Sequence, residues 1–227
     1  MSASNSHESN SHESNSLDQS NSHETNQTSP QRPVTIQIQT PQSVCYTFEG
    51  YLEKDYADEL LEHCSRLTLI DNLPIKIYGR VCYQKRAVGF YSDSSSGFKY
   101  SGQLLQSQPL PDFLRIILED VNKSLETDFN GILVNLYKDG QDSIGFHSDS
   151  EQDLAKGGTV ASISIGASRT FRIRSKSNAI PEKAISTSHG QLLVMQGNFQ
   201  KEFTHGIPAE SGVSNPRFSL TLRRHLA

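Results

Sequence analysis

Residues 217–223 read RFSLTLR and alternate polar with apolar side chains, the pattern of a β-strand. The apolar side chains share one face, which we expect to pack against a hydrophobic core. The opposite face is polar and carries Arg217, Ser219, Thr221 and Arg223. No acidic residue of the segment neutralises the two arginines, and burying an unpaired charge is costly. An exposed edge strand with solvated arginines is one interpretation. The other interpretation is that the two arginines are buried and bind an anionic ligand. A guanidinium suits a carboxylate because it can donate two parallel hydrogen bonds to it.

The segments upstream of this strand also have strand periodicity, and turn residues separate them. The predicted strands are VTIQIQ (34–39), ILVNLY (132–137), TVASISI (159–165), RTFRIR (169–174) and QLLVM (191–195). Apolar residues at helical spacing predict helices over 54–68 and 111–125, and residues 74–105 between them predict short strands and mobile loops. Helices followed by a run of strands predict an α+β or mainly β fold, with the helices backing one sheet of a double-sheet jelly roll.

The amino-terminal residues differ from the rest in composition. SNSHE occurs at 4–8, 9–13 and 20–24, with the diverged copy SNSLD at 14–18. Such a segment has too little apolar surface to offset the entropy of ordering, so we predict a disordered low-complexity tail over 1–33 and one domain over 34–227. Of the 25 acidic residues, four lie in the first thirty positions, which hold no Lys or Arg. The other 21 balance the 21 basic residues, which argues against bulk electrostatic capture of nucleic acid and leaves a local basic patch open.

Several classes of protein are excluded by composition. No apolar run approaches the length of about 20 residues that spans a bilayer. The first residues lack the basic and apolar regions of a secretory signal. The three cysteines Cys45, Cys64 and Cys82 are odd in number and have no metal-like spacing, which favours a reducing compartment. We therefore expect an intracellular protein, nuclear or cytoplasmic, and neither a membrane protein nor a disulfide scaffold.

A metal site is suggested by His147 and Asp149, which can point to one side of an extended segment because they are two residues apart. Alone, a His-x-Asp pattern also fits an ordinary surface loop. His205 in FTHGIP supplies a third candidate ligand. Two imidazoles and one carboxylate form the facial triad of non-haem ferrous oxygenases, which leaves coordination positions open for other ligands. Zinc accepts the same three ligands, so the triad by itself leaves the metal open.

A cosubstrate site is suggested by Asn135 and Tyr137, which stand two apart on a predicted strand ten residues before His147. They would add an amide and a phenol to the same cavity. A dicarboxylate whose far carboxylate lies at an arginine and whose near carboxylate lies at a ferrous ion is 2-oxoglutarate.

Taken in order, NLY, HSD, His205 and RFSLTLR resemble the AlkB family of iron(II)- and 2-oxoglutarate-dependent dioxygenases. That family has N-x-Y, H-x-D, a distal His and R-x-x-x-x-x-R in this order, and the resemblance covers roughly residues 75–225. It implies a double-stranded β-helix (jelly-roll) core that holds iron, with a nucleotide-recognition lid on its N-terminal side. It also implies hydroxylation of N-alkyl groups on nucleobases, with loss of the carbon as aldehyde and conversion of 2-oxoglutarate to succinate and carbon dioxide.

The resemblance implies roles for individual residues. His147, Asp149 and His205 would ligate Fe(II). Asn135, Tyr137, Arg217, Thr221 and Arg223 would bind 2-oxoglutarate. Six residues of strand, roughly 20 Å of backbone, separate the two arginines. We therefore expect Arg217 at the far carboxylate and Arg223 near the iron.

The resemblance extends to the nucleotide-recognition lid of the family, and the matching segments of this chain are KRAVGFYSD (85–93) and GFKYSG (97–102). Arg86, Tyr91 and Tyr100 fit positions at which the lid presents a cation and aromatic rings to a flipped base. Glu151 matches an acidic position that faces the base in several members. A flipped base needs stacking surfaces and a polar reader of its edge, although loop packing would equally explain the two tyrosines.

The predicted function is oxidative demethylation of N1-methyladenine or N3-methylcytosine in DNA or RNA. One alternative keeps Fe(II) and 2-oxoglutarate but oxidises a protein, a lipid or a small molecule, because the core motifs bind only what all such oxygenases share. The other is a non-catalytic module that binds methylated nucleic acid. We expect a monomer that makes few phosphate contacts and prefers single-stranded or unpaired bases, since weak backbone binding offsets little base-pair opening.

Overall fold

The computed structural model describes residues 33–77, 79–100, 103–149 and 158–225, without the side chains of residues 76, 77, 100 and 103. Its helices are α1 (Lys54–Ser65), α2 (Asp112–Leu125) and α3 (Phe199–Glu202). Its strands are β1 (Val34–Gln39), β2 (Ser43–Phe48), β3 (Pro74–Ile77), β4 (Arg80–Tyr83), β5 (Ala87–Tyr91), β6 (Gly97–Tyr100), β7 (Gln103–Gln108), β8 (Gly131–Tyr137), β9 (Ile144–His147), β10 (Val160–Gly166), β11 (Arg169–Ser175), β12 (Lys183–Thr187), β13 (Leu192–Gly197), β14 (Phe203–Ile207) and β15 (Arg217–Arg223). Across these described ranges, no helix has the length and apolar character needed to cross a membrane.

The larger sheet has nine strands in the order β1-β2-β13-β10-β15-β8-β5-β7-β6. Side chains along its central strands point alternately to the two faces of the sheet, and one of these faces presents a continuous apolar surface to α1 and α2. Leu60 of α1 and Leu114 and Ile117 of α2 are buried in that layer. Pro111 precedes the first turn of α2, where its missing N–H costs no hydrogen bond, and Asp112 is favourable at the positive end of the helix dipole.

The smaller sheet has four strands in the order β12-β11-β14-β9. Apolar side chains of both sheets form a second core between them, with Phe171 and Ile173 from the small sheet and Leu193 and Met195 from the large one. Two facing β-sheets with helices on the outer face of one confirm the jelly-roll prediction. The polar side of β15 therefore faces the space between the sheets.

Every strand predicted from periodicity is present, but several other strands were not predicted. The short strands predicted over 74–105 are β3 to β6 and the start of β7, and all of β5 is buried, with β8 and β7 as its neighbours in the sheet. The strands β2, β9, β12 and β14 were not predicted, since they are short and mix polar with apolar residues. The predicted disordered tail lies almost wholly outside the described residues, so it and the domain boundary stay predictions.

Candidate active site

The three predicted metal ligands come together at the edge of the small sheet. His147 ends β9 and His205 lies on β14, and the antiparallel pairing of these strands places the two residues directly opposite each other. Their ring centroids are 4.5 Å apart. Asp149 follows two residues after His147, and the candidate ligand atoms of all three residues lie within 4.8 Å of one another.

A β-bulge sets the direction of the His147 side chain. His147 pairs with His205 and Ile144 pairs with Ile207, so that three steps on β9 match two steps on β14. In a regular strand residues 144 and 147 would face opposite sides, but the extra residue lets both side chains line the same cavity. At Gly206 a Cβ atom would lie 2.8 Å from the carbonyl oxygen of Ile144, so only glycine permits this close approach of the two strands.

Hydrogen bonds around the triad orient the ligand atoms. Nδ1 of His147 lies 3.0 Å from the carbonyl oxygen of Gly145 and can donate to it, which leaves Nε2 with a lone pair for a metal. Arg223 donates from Nη2 to Oδ1 of Asp149 over 2.7 Å. Within the described chain, Oδ2 of the same carboxylate is buried and accepts no hydrogen bond, so it is available as a ligand.

The electrostatics of the triad favour the ligand forms of its members. Burial lowers the pKa of His205 to about 3, and the neighbouring His147 adds to that effect. Burial also lowers the pKa of His147, so both imidazoles are neutral at physiological pH. Burial alone would raise the pKa of Asp149, but Arg223, together with the two histidines when they carry a proton, outweighs it and holds that pKa below its usual value. Neutral imidazole and ionised carboxylate are the forms that bind a metal.

The polar face of β15 forms one wall of the same cavity. Arg217 is 2% exposed, donates from Nη2 to Oγ of Ser164 over 2.8 Å, and lies with its guanidinium carbon 5.4 Å from the centre of the Tyr137 ring. Its Nε and Nη1 have no hydrogen-bond partner in the described part of the protein. Burial lowers the pKa of Arg217 to about 10, which still leaves it cationic at neutral pH. Two unused donors on a buried cation fit a carboxylate.

The remaining predicted cosubstrate residues line the cavity as well. Asn135 and Tyr137 lie on β8, opposite Ser219 and Arg217 of β15, and the amide oxygen of Asn135 accepts a 2.8 Å hydrogen bond from Nε of Arg86. Thr221 and Arg223 face the same space further along β15. The cavity has a volume of about 600 Å³, including space open to solvent. Arg217 and the metal ligands thus lie in one cavity, as a ligand bound at both ends requires.

The predicted substrate residues are not all brought together. Arg86 lines the cavity and is buried. Tyr91 is on the opposite face of β5, in the helix-facing core, where its hydroxyl donates to the carbonyl oxygen of Thr68 over 2.9 Å. Because odd and even positions of a strand face opposite ways, Arg86 and Tyr91 cannot both reach the cavity, and we assign Tyr91 a packing role. Glu151 and the side chain of Tyr100 lie outside the described residues.

Some cavity residues were not identified from the sequence. Phe98 lies two residues before Tyr100 on β6, lines the cavity and stacks at 5.2 Å from the guanidinium carbon of Arg223. Ser162 and Ser219 add hydroxyl groups to the wall and lie 2.9 Å apart. The signal for Ser162 was the alternation of SISIG on β10, which matches that of RFSLTLR. Phe98 lies within GFKYSG, the segment that resembles the lid, but the resemblance named Tyr100 there, and no signal separated Phe98 from a core residue.

The site fits ferrous iron and 2-oxoglutarate. The unpartnered Oδ2 of Asp149 and the two histidines supply a set of one oxygen and two nitrogen ligands, which suits Fe(II) and leaves other positions open. The unpartnered donors of Arg217 supply a carboxylate site in the same cavity. Residues present in the chain could therefore hold both groups.

Comparison with known proteins identifies the family. Residues 44–223 match the model of the 2OG-Fe(II) oxygenase superfamily, and the chain belongs to that superfamily. Fe(II) and 2-oxoglutarate are therefore its cofactors. The resemblance to the AlkB family is confirmed by curated relatives. The chain is 33% identical over 159 residues to the DNA oxidative demethylase ALKBH2 of Bos taurus, covering 67% of this chain and 57% of that protein.

Other relatives agree with this assignment. The alpha-ketoglutarate-dependent dioxygenase alkB homolog 3 of Homo sapiens is 30% identical over 192 residues, covering 78% of this chain and 64% of the relative. The chain spans 57% to 66% of the length of the ALKBH2 proteins of Bos taurus, Homo sapiens and Mus musculus. The solved structure of OsALKBH1 superposes with a TM-score of 0.59 at 17% identity, covering 84% of this chain and all of the other, which shows a shared fold.

Proposed function

We propose that the protein is an oxidative demethylase of N-alkylated nucleobases, such as N1-methyladenine and N3-methylcytosine, in DNA or RNA. The observation that carries the proposal is the single cavity that joins the His147, Asp149 and His205 triad to the unpartnered donors of Arg217. Relatives named DNA oxidative demethylase support nucleic acid as the substrate class.

The residues of the chain have distinct proposed roles. His147, Asp149 and His205 hold the iron, and Arg223 keeps the Asp149 carboxylate ionised and oriented by its hydrogen bond to Oδ1. Arg217 binds the far carboxylate of 2-oxoglutarate, while Asn135, Tyr137 and Thr221 line the remainder of its site. When bound, iron and 2-oxoglutarate supply the oxidation of the alkyl carbon by oxygen, with succinate and carbon dioxide as coproducts. The hydroxylated N-methyl group then leaves as formaldehyde.

The substrate side of the cavity offers Phe98 and Arg86. The Phe98 ring lines the cavity and provides an apolar face on which a base can stack. Arg86 lines the same cavity and donates from Nε to Asn135, so a polar group is present in the cavity with that ring. Tyr100 and Glu151 remain proposed contacts on the grounds of their sequence positions. A base that carries a positive charge is attracted to aromatic faces and to a carboxylate.

The preferred form of the nucleic acid is proposed to be single-stranded or unpaired. The charge balance of the chain beyond its first thirty residues provides few net cationic contacts for phosphates, so affinity should fall gently with salt. Opening a base pair costs a few kcal/mol, which weak backbone contacts offset poorly. We also propose that the protein acts as a monomer inside the cell, in the nucleus or the cytoplasm.

The test compares N1-methyladenine with the uncharged N6-methyladenine in one single-stranded oligonucleotide. With iron, ascorbate and 2-oxoglutarate, we expect formaldehyde release and loss of the methyl mass, faster for the cationic base. Glu151→Ala should narrow this difference, whereas Glu59→Ala, on the exposed face of α1, should leave it unchanged. Equal rates on both bases would contradict the proposed selection. Oxidation of a peptide, lipid or small molecule without any nucleobase turnover, or binding of methylated strands without turnover, would replace the proposal by one of its alternatives.

A further inference from the structure

Arg169 is a buried cation that lies outside the cavity but next to it. It begins β11, is 1% exposed, and its guanidinium donates to three backbone carbonyl groups. Nη1 donates to Asp139 over 2.9 Å, and Nη2 donates to Asp142 over 2.8 Å and to Pro208 over 2.7 Å. A planar guanidinium can bind several acceptors at once in a fixed geometry, which a lysine cannot reproduce.

The three carbonyl groups belong to two connections that carry the active-site strands. Residues 138–143 join β8, which ends at Tyr137, to β9, which ends at His147. Residues 208–216 join β14, which carries His205, to β15, which begins at Arg217. Arg169 therefore links the segments that position two predicted iron ligands and two predicted cosubstrate residues.

The two connections also touch each other directly. The N–H of Gly140 donates to the carbonyl oxygen of Val213, and the N–H of Glu210 donates to the carbonyl oxygen of Gly140. A Cβ atom at position 140 would lie 1.8 Å from the carbonyl oxygen of Glu210, so the backbones are packed as closely as glycine allows. This contact leaves little freedom for either connection while Arg169 is in place.

Arg169 also approaches the far-carboxylate end of the cavity through Tyr137. The guanidinium carbon of Arg169 is 5.5 Å from the centre of the Tyr137 ring, and that of Arg217 is 5.4 Å from the same centre. Glu210 is the acidic partner, with its Oε1 3.7 Å from Nε of Arg169. One aromatic ring thus contacts both guanidinium groups, and its position depends on both.

We propose that Arg169 is a positioning residue for the far carboxylate of 2-oxoglutarate. By binding the carbonyl groups of both connections and contacting Tyr137, it holds Tyr137 and Arg217 in the arrangement that accepts that carboxylate. Arg169 does not line the cavity, so it acts through these two residues. The inference rests on the proposed function only through its use of 2-oxoglutarate.

The test measures binding of two 2-oxo acids by calorimetry to protein loaded with Mn(II), which supports no turnover. One ligand is 2-oxoglutarate, and the other is 2-oxopentanoate, in which a methyl group replaces the far carboxylate. Arg169→Met should weaken 2-oxoglutarate binding by on the order of tenfold, the effect of losing alignment in a charge-assisted hydrogen bond. Binding of 2-oxopentanoate should not change. Arg172→Met is the matched control, because Arg172 lies on the same strand, is 41% exposed in its side chain and does not line the cavity.

The outcomes separate this inference from the proposed function. If Arg169→Met weakens both ligands equally, or neither, the positioning role is refuted. If Arg169→Met does not fold, Arg169→Lys keeps the charge but loses the planar fork, and it should reduce the preference for 2-oxoglutarate over 2-oxopentanoate. An unchanged preference in Arg169→Lys overturns the inference. If the wild-type protein binds no 2-oxoglutarate, the proposed function itself fails.

Discussion

Replacing Arg217 with methionine tests the cosubstrate site most directly. Arg217 is a buried cation with one hydrogen bond to Ser164 and two donors that have no partner among the described residues. Removing such a charge before any ligand is bound relieves a desolvation cost, which is why burial lowers its pKa to about 10. We therefore expect the ligand-free variant to unfold at a temperature close to that of the wild type.

The ligand-bound protein should respond very differently. Truncating one partner of a buried charged pair costs about 3 to 5 kcal/mol, which raises the Kd for 2-oxoglutarate by roughly two to three and a half powers of ten. At a concentration a hundredfold above the wild-type Kd, the ligand stabilises the wild type by about 2.7 kcal/mol. At about 2 to 4 °C per kcal/mol, the melting temperature rises by about 5 to 11 °C. If Arg217→Met has a Kd a hundredfold higher, the same ligand concentration stabilises the variant by about 0.4 kcal/mol, and its melting temperature rises by about 1 to 2 °C.

The assay is thermal unfolding of the Mn(II)-loaded protein with and without 2-oxoglutarate, monitored by circular dichroism. Arg66→Met, at the position just after α1, is the control, because Arg66 is exposed and its ion pair among the described residues is with Glu62 of α1. A full ligand-induced shift in Arg217→Met would refute the assignment of the far carboxylate to Arg217. A loss of several kcal/mol of stability in the ligand-free variant would contradict the view that Arg217 is retained for a ligand.

Three other changes test the remaining assignments. Asp149→Ala should abolish ferrous binding and turnover, and should lower the free energy of unfolding by about 3 to 5 kcal/mol because Arg223 is left buried without its partner; residual turnover with iron would contradict the triad. Tyr91→Phe should cost about 1 kcal/mol of stability and leave KM unchanged, whereas Phe98→Leu should raise KM for the oligonucleotide through the loss of about 1 to 3 kcal/mol of stacking. The opposite ranking would return Tyr91 to the substrate site. A chain that starts at Gln31 should have the kcat of the full chain on a short oligonucleotide, since the SNSHE repeats lack apolar anchors; a large decrease would show that the tail takes part in catalysis.

The sequence predicted the cavity well wherever a strand has strict alternation. In RFSLTLR the polar and apolar positions separate cleanly, so the directions of Arg217, Thr221 and Arg223 followed from the period of two. The same rule accounts for Asn135 and Tyr137 on β8. In each case one face meets the helix-facing core and the other meets the space between the sheets.

Prediction failed where direction depends on contacts that are distant in the chain. The resemblance places Tyr91 with Arg86 at the substrate, and the sequence did not fix the bounds of β5, so the alternation along that strand could not be used to separate them. Phe98 looked like any core aromatic, since its place in the cavity depends on how β6 lies against Arg223. The pairing of His147 with His205 joins short strands that carry little periodicity, so it could be inferred from chemistry but not from propensity.

The bulge in β9 adds one residue between two positions that face the cavity, so the effect of removing that residue follows from strand geometry. Deleting either Gly145 or Phe146 would leave Ile144 and His147 two positions apart, which is the spacing of Ile207 and His205 with which they pair. Residues two apart on a regular strand face the same side, so the imidazole of His147 would still lie beside His205. Deleting Ser148 would instead make His147 and Asp149 neighbours in the chain, whose side chains point to opposite sides of an extended segment. We therefore expect a single-residue deletion at 145 or 146 to preserve metal binding and a deletion of Ser148 to abolish it.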